Sequence, residues 1–286
     1  MKALDTGATG FVGANLVRAL VEEGVPVRAL VRKTSCSRTL QGLPIEEVLG
    51  DLEDIDSLKA ALQGCTVLFH VAALNTFWAR DPAQFYNVNI SGTRNVLVAA
   101  EEASVERVVH TSTWAIIGRP IDDKLATEAT RPSQEDLTGH YRQTKYLAEM
   151  EVEAAVARGQ DVVVVNPTVP VGPWDVKPTP SGRIVLDFLR GRMPVYIEAH
   201  LNLIAVEDVA QGHIGAWEHG RTGERYILGN RNMTLLQVLE ELEAMTGRKR
   251  PHTKVPMGVA LAAARLDSFI EGTLLRREPR IPIEGV

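Results

Sequence analysis

Tyr141 and Lys145 stand four residues apart in Tyr141-Arg142-Gln143-Thr144-Lys145, a spacing that puts both side chains on one helix face, a turn apart. A phenol is a poor acid or base near neutral pH, because its ordinary pKa is about 10. A neighbouring ammonium favours the phenolate: at about 4 Å and an effective dielectric near 20, two unit charges attract by roughly 4 kcal/mol. Even a fraction of that is expected to bring the phenol down by about one pH unit or more. Thr111-Ser112-Thr113 closes an apolar run, so a hydroxyl from Thr113 or Ser112 can hold a substrate oxygen where charge develops. This is equipment for hydride transfer at a carbonyl or alcohol carbon, with Lys145 also able to reach a nicotinamide ribose.

The hydride carrier has its own signature. Gly7-Ala8-Thr9-Gly10-Phe11-Val12-Gly13 follows a short apolar strand and opens an amphipathic helix. Gly7 suits the tight turn, Gly10 the close approach of a pyrophosphate, and Gly13 the packing of helix on sheet. The phosphates then rest on free N–H groups at the helix N-terminus. The second strand ends Leu30-Val31-Arg32-Lys33, without the carboxylate that usually holds the ribose hydroxyls of NAD. Arg32 and Lys33 fit a 2′-phosphate instead, so NADP(H) is favoured and NAD(H) stays open. Asp51 and Leu52, after the third strand, are expected beside the adenine. Ala72 and Ala73, after the fourth, leave room for the dinucleotide backbone. Asp5 offends this pattern, since a carboxylate in a covered strand is costly without a partner.

The elements that must position these groups alternate. Apolar strands near 3–5, 25–31, 48–49, 67–71, 108–110 and 162–165 are separated by helical periodicities over 11–23, 55–62, 88–97 and 142–158. Strands buried on both faces and separated by helices predict an α/β, doubly wound parallel sheet. Residues 1–166 are read as a dinucleotide-binding domain. The proline-rich stretch from Asn166 to Pro180 is expected to be a rigid boundary loop. Residues 167–286 are read mostly as a smaller C-terminal substrate-binding lobe, with a helix at 183–190 and another capped by Thr234. The strand and helix near 201–218 return to the first domain. Trp78, Arg80, His140, Trp174, Lys177, Arg183 and Tyr196 are candidates for the substrate lining, with His140 favoured as local packing. The tail Ile281–Val286 reads as extended.

The 286 residues carry 36 acidic and 31 basic side chains, a formal charge of -5, which argues against a nucleic-acid partner. No run approaches the roughly 18 apolar residues of a membrane span, and the start is too short for a signal peptide. The chain is therefore expected to be cytoplasmic, with no integral membrane segment. Cys36 and Cys65 read as free thiols, and no zinc spacing appears among the histidines, so no metal is expected.

Together these motifs resemble the extended short-chain dehydrogenase/reductase family, its dihydroflavonol-4-reductase-like branch and, within that, the hopanoid-associated sugar epimerase proteins of bacteria. The resemblance runs over essentially the whole chain, through Gly7–Gly13, Gly50-Asp51-Leu52, Phe69-His70-Val71-Ala72-Ala73, Asn89-Ile90-Ser91-Gly92-Thr93, Tyr141–Lys145 and Lys177-Pro178-Thr179-Pro180. It implies a Rossmann-type sheet, with Tyr141 as acid/base, Lys145 as its partner and Thr113 at the position usually held by serine. It implies that Asn89 supports the active-site water or the lysine, and that Pro167, Thr168 and Val169 line the nicotinamide side. The main functional expectation is net hydride transfer between NADP(H) and a carbonyl or alcohol. The alternative is a sugar or sugar-nucleotide epimerase that returns the hydride to the same substrate. A non-catalytic NADP(H) sensor comes third, because both Tyr141 and Lys145 are present. A homodimer is a family expectation. The chain departs from the family in Asp5, which replaces an apolar residue, and in its end, since members continue further and part of the lobe is expected to be missing.

Overall fold

The computed structural model describes residues 1–120 and 125–279; the tail expected to be extended, Ile281–Val286, lies outside them. β1 (Ala3–Asp5), α1 (Phe11–Glu22), β2 (Val27–Val31), β3 (Glu46–Leu49), α2 (Ile55–Leu62) and β4 (Val67–His70) follow one another. α3 (Ala83–Tyr86), a π-helical turn over Asn87–Ser91 and α4 (Gly92–Glu102) cross to β5 (Arg107–Thr111), and α5 (Gly139–Ala157) crosses to β6 (Val162–Pro167). Next come β7 (Val169–Val171), α6 (Pro180–Leu189), β8 (Val195–Tyr196), β9 (His200–Ala205), α7 (Val206–His219), β10 (Arg225–Leu228), β11 (Arg231–Thr234), α8 (Leu235–Thr246), β12 (Thr253–Lys254) and α9 (Met257–Asp267).

Seven strands make one parallel sheet in the order β10-β6-β5-β4-β1-β2-β3. The valine-rich central strands are buried along their length, as β-branched residues covered on both faces should be. Successive side chains feed opposite cores. Val109 and Val163 pack with Leu16, Val17 and Leu20 of α1 and Ile214 of α7, while Val108 and Val162 pack with Leu58, Val96 and Val152 of α2, α4 and α5. The fold is a Rossmann-type doubly wound α/β sheet. Strand order reverses between β1 and β4, so a crevice opens beyond their C-terminal ends, the place where such sheets take ligands.

The smaller C-terminal lobe holds a three-stranded sheet, β11-β9-β7, and the pair β12-β8. Its core is Phe188, Leu235 and Leu239 with Ile184, Tyr196 and Leu201 around them. Thr234 forms the N-cap and capping box of α8 with Gln237, and Gly247 ends that helix with φ 70°, the left-handed conformation that favours glycine.

Three expectations need correction. The stretch expected as a boundary loop from Asn166 is irregular only at Thr168 and over 172–179: Asn166 and Pro167 complete β6, and Pro170 sits in β7 opposite Ile204. β7 is an edge strand, where a missing N–H costs no ladder bond. The strand near 201–206 joins the smaller sheet as β9, and the helix after it, α7, is what returns to pack on α1, β5 and β6. α6 starts at Pro180 rather than residue 183, because Thr179 caps it through Gly182 N and proline fits the first helical position.

Candidate active site

β5 ends at Thr111 and hands Ser112 and Thr113 to the C-terminal edge of the sheet, where the buried face of α5 brings Tyr141 and Lys145. The Thr113 hydroxyl stands near the Tyr141 hydroxyl and favours phenolate. Burial outweighs it and holds the phenol above its ordinary pKa. Lys145 does not supply the expected downward pull. The smaller coulombic aid comes from Arg142, while the ammonium of Lys145 donates to the Thr111 carbonyl at 2.8 Å. Burial brings Lys145 down to about 8. Ser112 Oγ is buried without a hydrogen-bond partner among the described residues, and such an orphan hydroxyl wants a ligand or water. Phe77 meets the Tyr141 ring edge-on at 6.0 Å between centroids.

Asn89 is buried but does not reach Lys145. Its Oδ1 accepts from Leu74 N at 2.7 Å and its Nδ2 donates to Thr144 Oγ1 at 3.0 Å, tying the segment after β4 to α5.

The glycine turn has the shape expected of it. Gly10 N donates to Gly7 O at 2.8 Å. A Cβ on Gly13 would sit 2.2 Å from Gly7 O, and one on Gly7 would sit 2.8 Å from Ala72 N. The glycines let helix, turn and the segment after β4 at Ala72 close on each other. α1 begins at an exposed Gly10 with no side-chain cap and no acid in its first turn, and Thr9, Phe11 and Val12 are half-buried around it. This helix start fits a pyrophosphate. Gly13→Ala is expected to weaken dinucleotide binding by about tenfold or more, through overpacking against the Gly7 carbonyl. Calorimetric titration of the folded variant checks this.

Arg32 and Lys33 are exposed just past β2. Asp51 is half-buried, with Oδ1 accepting from Glu53 N, and the buried Leu52 offers its carbonyl to Asn95. Gly50 N is held by the Val31 carbonyl, so Asp51-Leu52 and Arg32-Lys33 border the same strand ends. Ala72 and Ala73 are half-buried beyond β4. Pro167 is buried at the end of β6, and Thr168 spends both its N–H and its hydroxyl on Leu228 O before Val169 opens β7.

The lining candidates stand in different surroundings. Trp174 lies under the Arg18 guanidinium of α1 at 3.8 Å, Arg183 pairs with Glu278 at 3.3 Å, and Tyr196 packs on the lobe core. His140 stacks on Phe85, while Arg80 and Lys177 are exposed. Trp78 is half-buried beside Gly272. Sequence reasoning missed Glu149, Asn166 and Arg225, a buried cluster behind Lys145. Glu149 had a signal, since it continues the four-residue step from Tyr141 to Lys145. His70 was also missed as a polar group: its ring bridges Thr6 and Thr93.

A doubly wound sheet with an open glycine turn and a buried Tyr-Lys-Thr constellation defines an NAD(P)-linked enzyme of oxidoreductase type. The chain belongs to the NAD dependent epimerase/dehydratase family, whose pattern matches residues 3–229. It is 48% identical over 98% of its length, and 82% of the relative's, to a Synechocystis protein carrying a provisional dihydroflavonol 4-reductase name. The crystal structure of gox2253 superposes with a TM-score of 0.87 at 40% identity, covering 99% of this chain and 86% of that one. A nucleoside-diphosphate-sugar epimerase from Pseudomonas aeruginosa shares the fold, with a TM-score of 0.82 at 23% identity over 94% and 85% of the two chains. Among the described residues, no helix is long and apolar enough to cross a membrane.

Proposed function

We propose that this enzyme removes hydride from a hydroxyl-bearing carbon of a sugar or sugar-nucleotide substrate and returns it to the same molecule. The observation that carries the reading is the burial of Tyr141 and Lys145 on one face of α5 beside Thr113, on the sheet edge that also bears the glycine turn. The family description supports this form of the chemistry over the net reduction that the sequence put first. A dinucleotide seated at α1 supplies the hydride acceptor and donor. Tyr141 moves the proton at the substrate oxygen, Thr113 and Ser112 hold that oxygen, and Lys145 is the cation placed to reach the nicotinamide ribose.

A second reading, net reduction of a carbonyl by NADP(H), is supported by the burial that keeps Tyr141 a protonated donor and by the reductase name of the Synechocystis relative. The two readings part in one experiment with a panel of nucleoside-diphosphate sugars. Interconversion of epimers, with dinucleotide retained through purification and no net change in its absorbance, is expected. Steady consumption of NADPH with a carbonyl substrate would transfer the assignment to the reductase reading. The exposed Arg32 and Lys33 support NADP(H). Arg32→Ala is then expected to lose about tenfold in NADP(H) affinity while leaving NAD(H) unchanged, because a guanidinium–phosphate bond is charge-assisted. Equal binding of the two in the parent protein would remove the phosphate clamp. The hopanoid-associated branch is proposed on the sequence resemblance alone, and activity on the sugar panel is its first check; an enzyme that turns over none of those sugars would leave that branch without support.

A further inference from the structure

Glu149 lies one turn beyond Lys145 on the buried face of α5, and both its oxygens are engaged. Oε1 accepts from Asn166 Nδ2 at 3.0 Å. Oε2 pairs with Arg225 at 2.9 Å, with side-chain exposures of 5% and 10%. The same Asn166 Nδ2 donates to the Thr113 carbonyl at 3.0 Å. An ion pair this dry is a poor device for stability alone, since desolvation consumes much of the attraction. Here it links α5, β6 and β10 to the residue that presents a hydroxyl to Tyr141.

We propose that Glu149, Asn166 and Arg225 are positioning residues for the hydride chemistry: Glu149 sets a carboxylate one helical turn from Lys145, Arg225 fixes Glu149 in place, and Asn166 holds Thr113 so that its hydroxyl faces Tyr141. The inference rests on the reading of Tyr141 and Lys145 given above. Its physical need is plain from the surroundings of Lys145. From β4 and β5 it meets His70 and His110, both held neutral by burial, His70 at about 3 and His110 well below its ordinary value. From β5 it also meets the Thr111 carbonyl, and on its own helix it has Tyr141 and Glu149. Glu149 is the anion that opposes the burial of Lys145. Without it a dry lysine surrounded by neutral groups loses its proton at lower pH.

Asn166 acts on geometry rather than charge. Thr113 sits just past β5, where its Oγ1 also accepts from Ala115 N at 3.2 Å. Its carbonyl has Asn166 as a donor, and Asn166 is fixed in turn by Glu149 and by its place in β6. Removing the amide frees Thr113 to turn away from the phenol.

The test needs no substrate. Lysine labelled with ¹³C at Cε, with Lys145 assigned through Lys145→Arg, reports the titration of Lys145 directly. Glu149→Gln is expected to lower its midpoint by about one pH unit or more, and Glu149→Asp to restore most of it. If the single variant fails to fold because Arg225 is left unpaired, the Glu149→Gln/Arg225→Met double variant serves, with a smaller downward shift expected relative to the parent, because the loss of the Arg225 cation offsets part of it. An unchanged Lys145 midpoint in a folded variant overturns the charge role. In a second arm, the ultraviolet phenolate signal of Tyr141 is isolated by difference from Tyr141→Phe. At about pH 10.5, near the ordinary tyrosine pKa, Asn166→Leu is expected to diminish it, since the nearby Thr113 hydroxyl favours phenolate. An undiminished signal overturns the role of Asn166. Full turnover in Tyr141→Phe would instead overturn the reading of the site, whatever these titrations show.

Discussion

Tyr141→Phe is expected to lose about 10²–10⁴ in kcat, the range that a positioned acid or base contributes, with little change in dinucleotide affinity. The ring should keep its place, because its edge-on packing with Phe77 and its position on the buried face of α5 do not involve the hydroxyl. What disappears is the hydroxyl beside Thr113 and the proton that the substrate oxygen exchanges. Stopped-flow measurement of hydride transfer, with calorimetry of dinucleotide binding alongside, separates the chemical step from cofactor seating. Lys145 adds a pH signature to the parent enzyme. Its folded value lies near 8, below the ordinary lysine value, so the ammonium is complete well below that pH and is lost as pH rises through it. Activity is therefore expected to fall on the alkaline side with a midpoint about there. Turnover in Tyr141→Phe close to that of the parent would place the acid/base elsewhere.

The parts legible in the sequence are those encoded by local pattern. Valine runs give covered strands, and the helix periods between them give a parallel sheet, because both follow from burial on one or two faces. The glycine turn is legible because the close approaches it permits, such as Gly13 against the Gly7 carbonyl, depend on absent side chains within one short segment. Tyr141 and Lys145 are legible because helical spacing alone brings them together. The missed cluster needs three distant segments: Asn166 and Arg225 meet Glu149 only once β10 has paired beside β6. Trp174 shows the converse limit. It was one candidate among several for the substrate lining, and its contact with Arg18 of α1 joins segments that no local spacing relates. The electrostatics of Tyr141 were misjudged for a related reason. Proximity to Lys145 was readable from spacing, whereas the burial that outweighs any such help is a property of the whole packed site.

Burial explains Asp5 as well, and here the expected effect on stability is large. Its side chain is fully covered in β1. Oδ1 accepts from Gly7 N at 2.6 Å, and Oδ2 has no partner among the described residues. Burial pushes the carboxyl up from 3.8 to about 8, against a smaller opposing pull from the Gly7 N–H. In the unfolded chain the group ionises near pH 4, so between about pH 4 and pH 8 the folded state binds a proton that the unfolded state has released. Stability then falls as pH rises across that window, by about 1.4 kcal/mol per pH unit and on the order of 5 kcal/mol in all. Below the window Asp5 is neutral in both states and the penalty vanishes. Asp5→Asn keeps an oxygen facing Gly7 N and removes the ionisation. Urea unfolding at pH 5 and pH 8 is therefore expected to show the variant several kcal/mol more stable at pH 8, with a smaller gain at pH 5. The same difference at both pH values would mean that Asp5 is not a neutral acid in the folded enzyme. Because Oδ1 grips the first glycine of the dinucleotide turn, a change in this strand residue also tests whether the turn depends on that bond. Dinucleotide affinity equal to the parent's in Asp5→Asn is the expected result, since the amide oxygen can accept the same hydrogen.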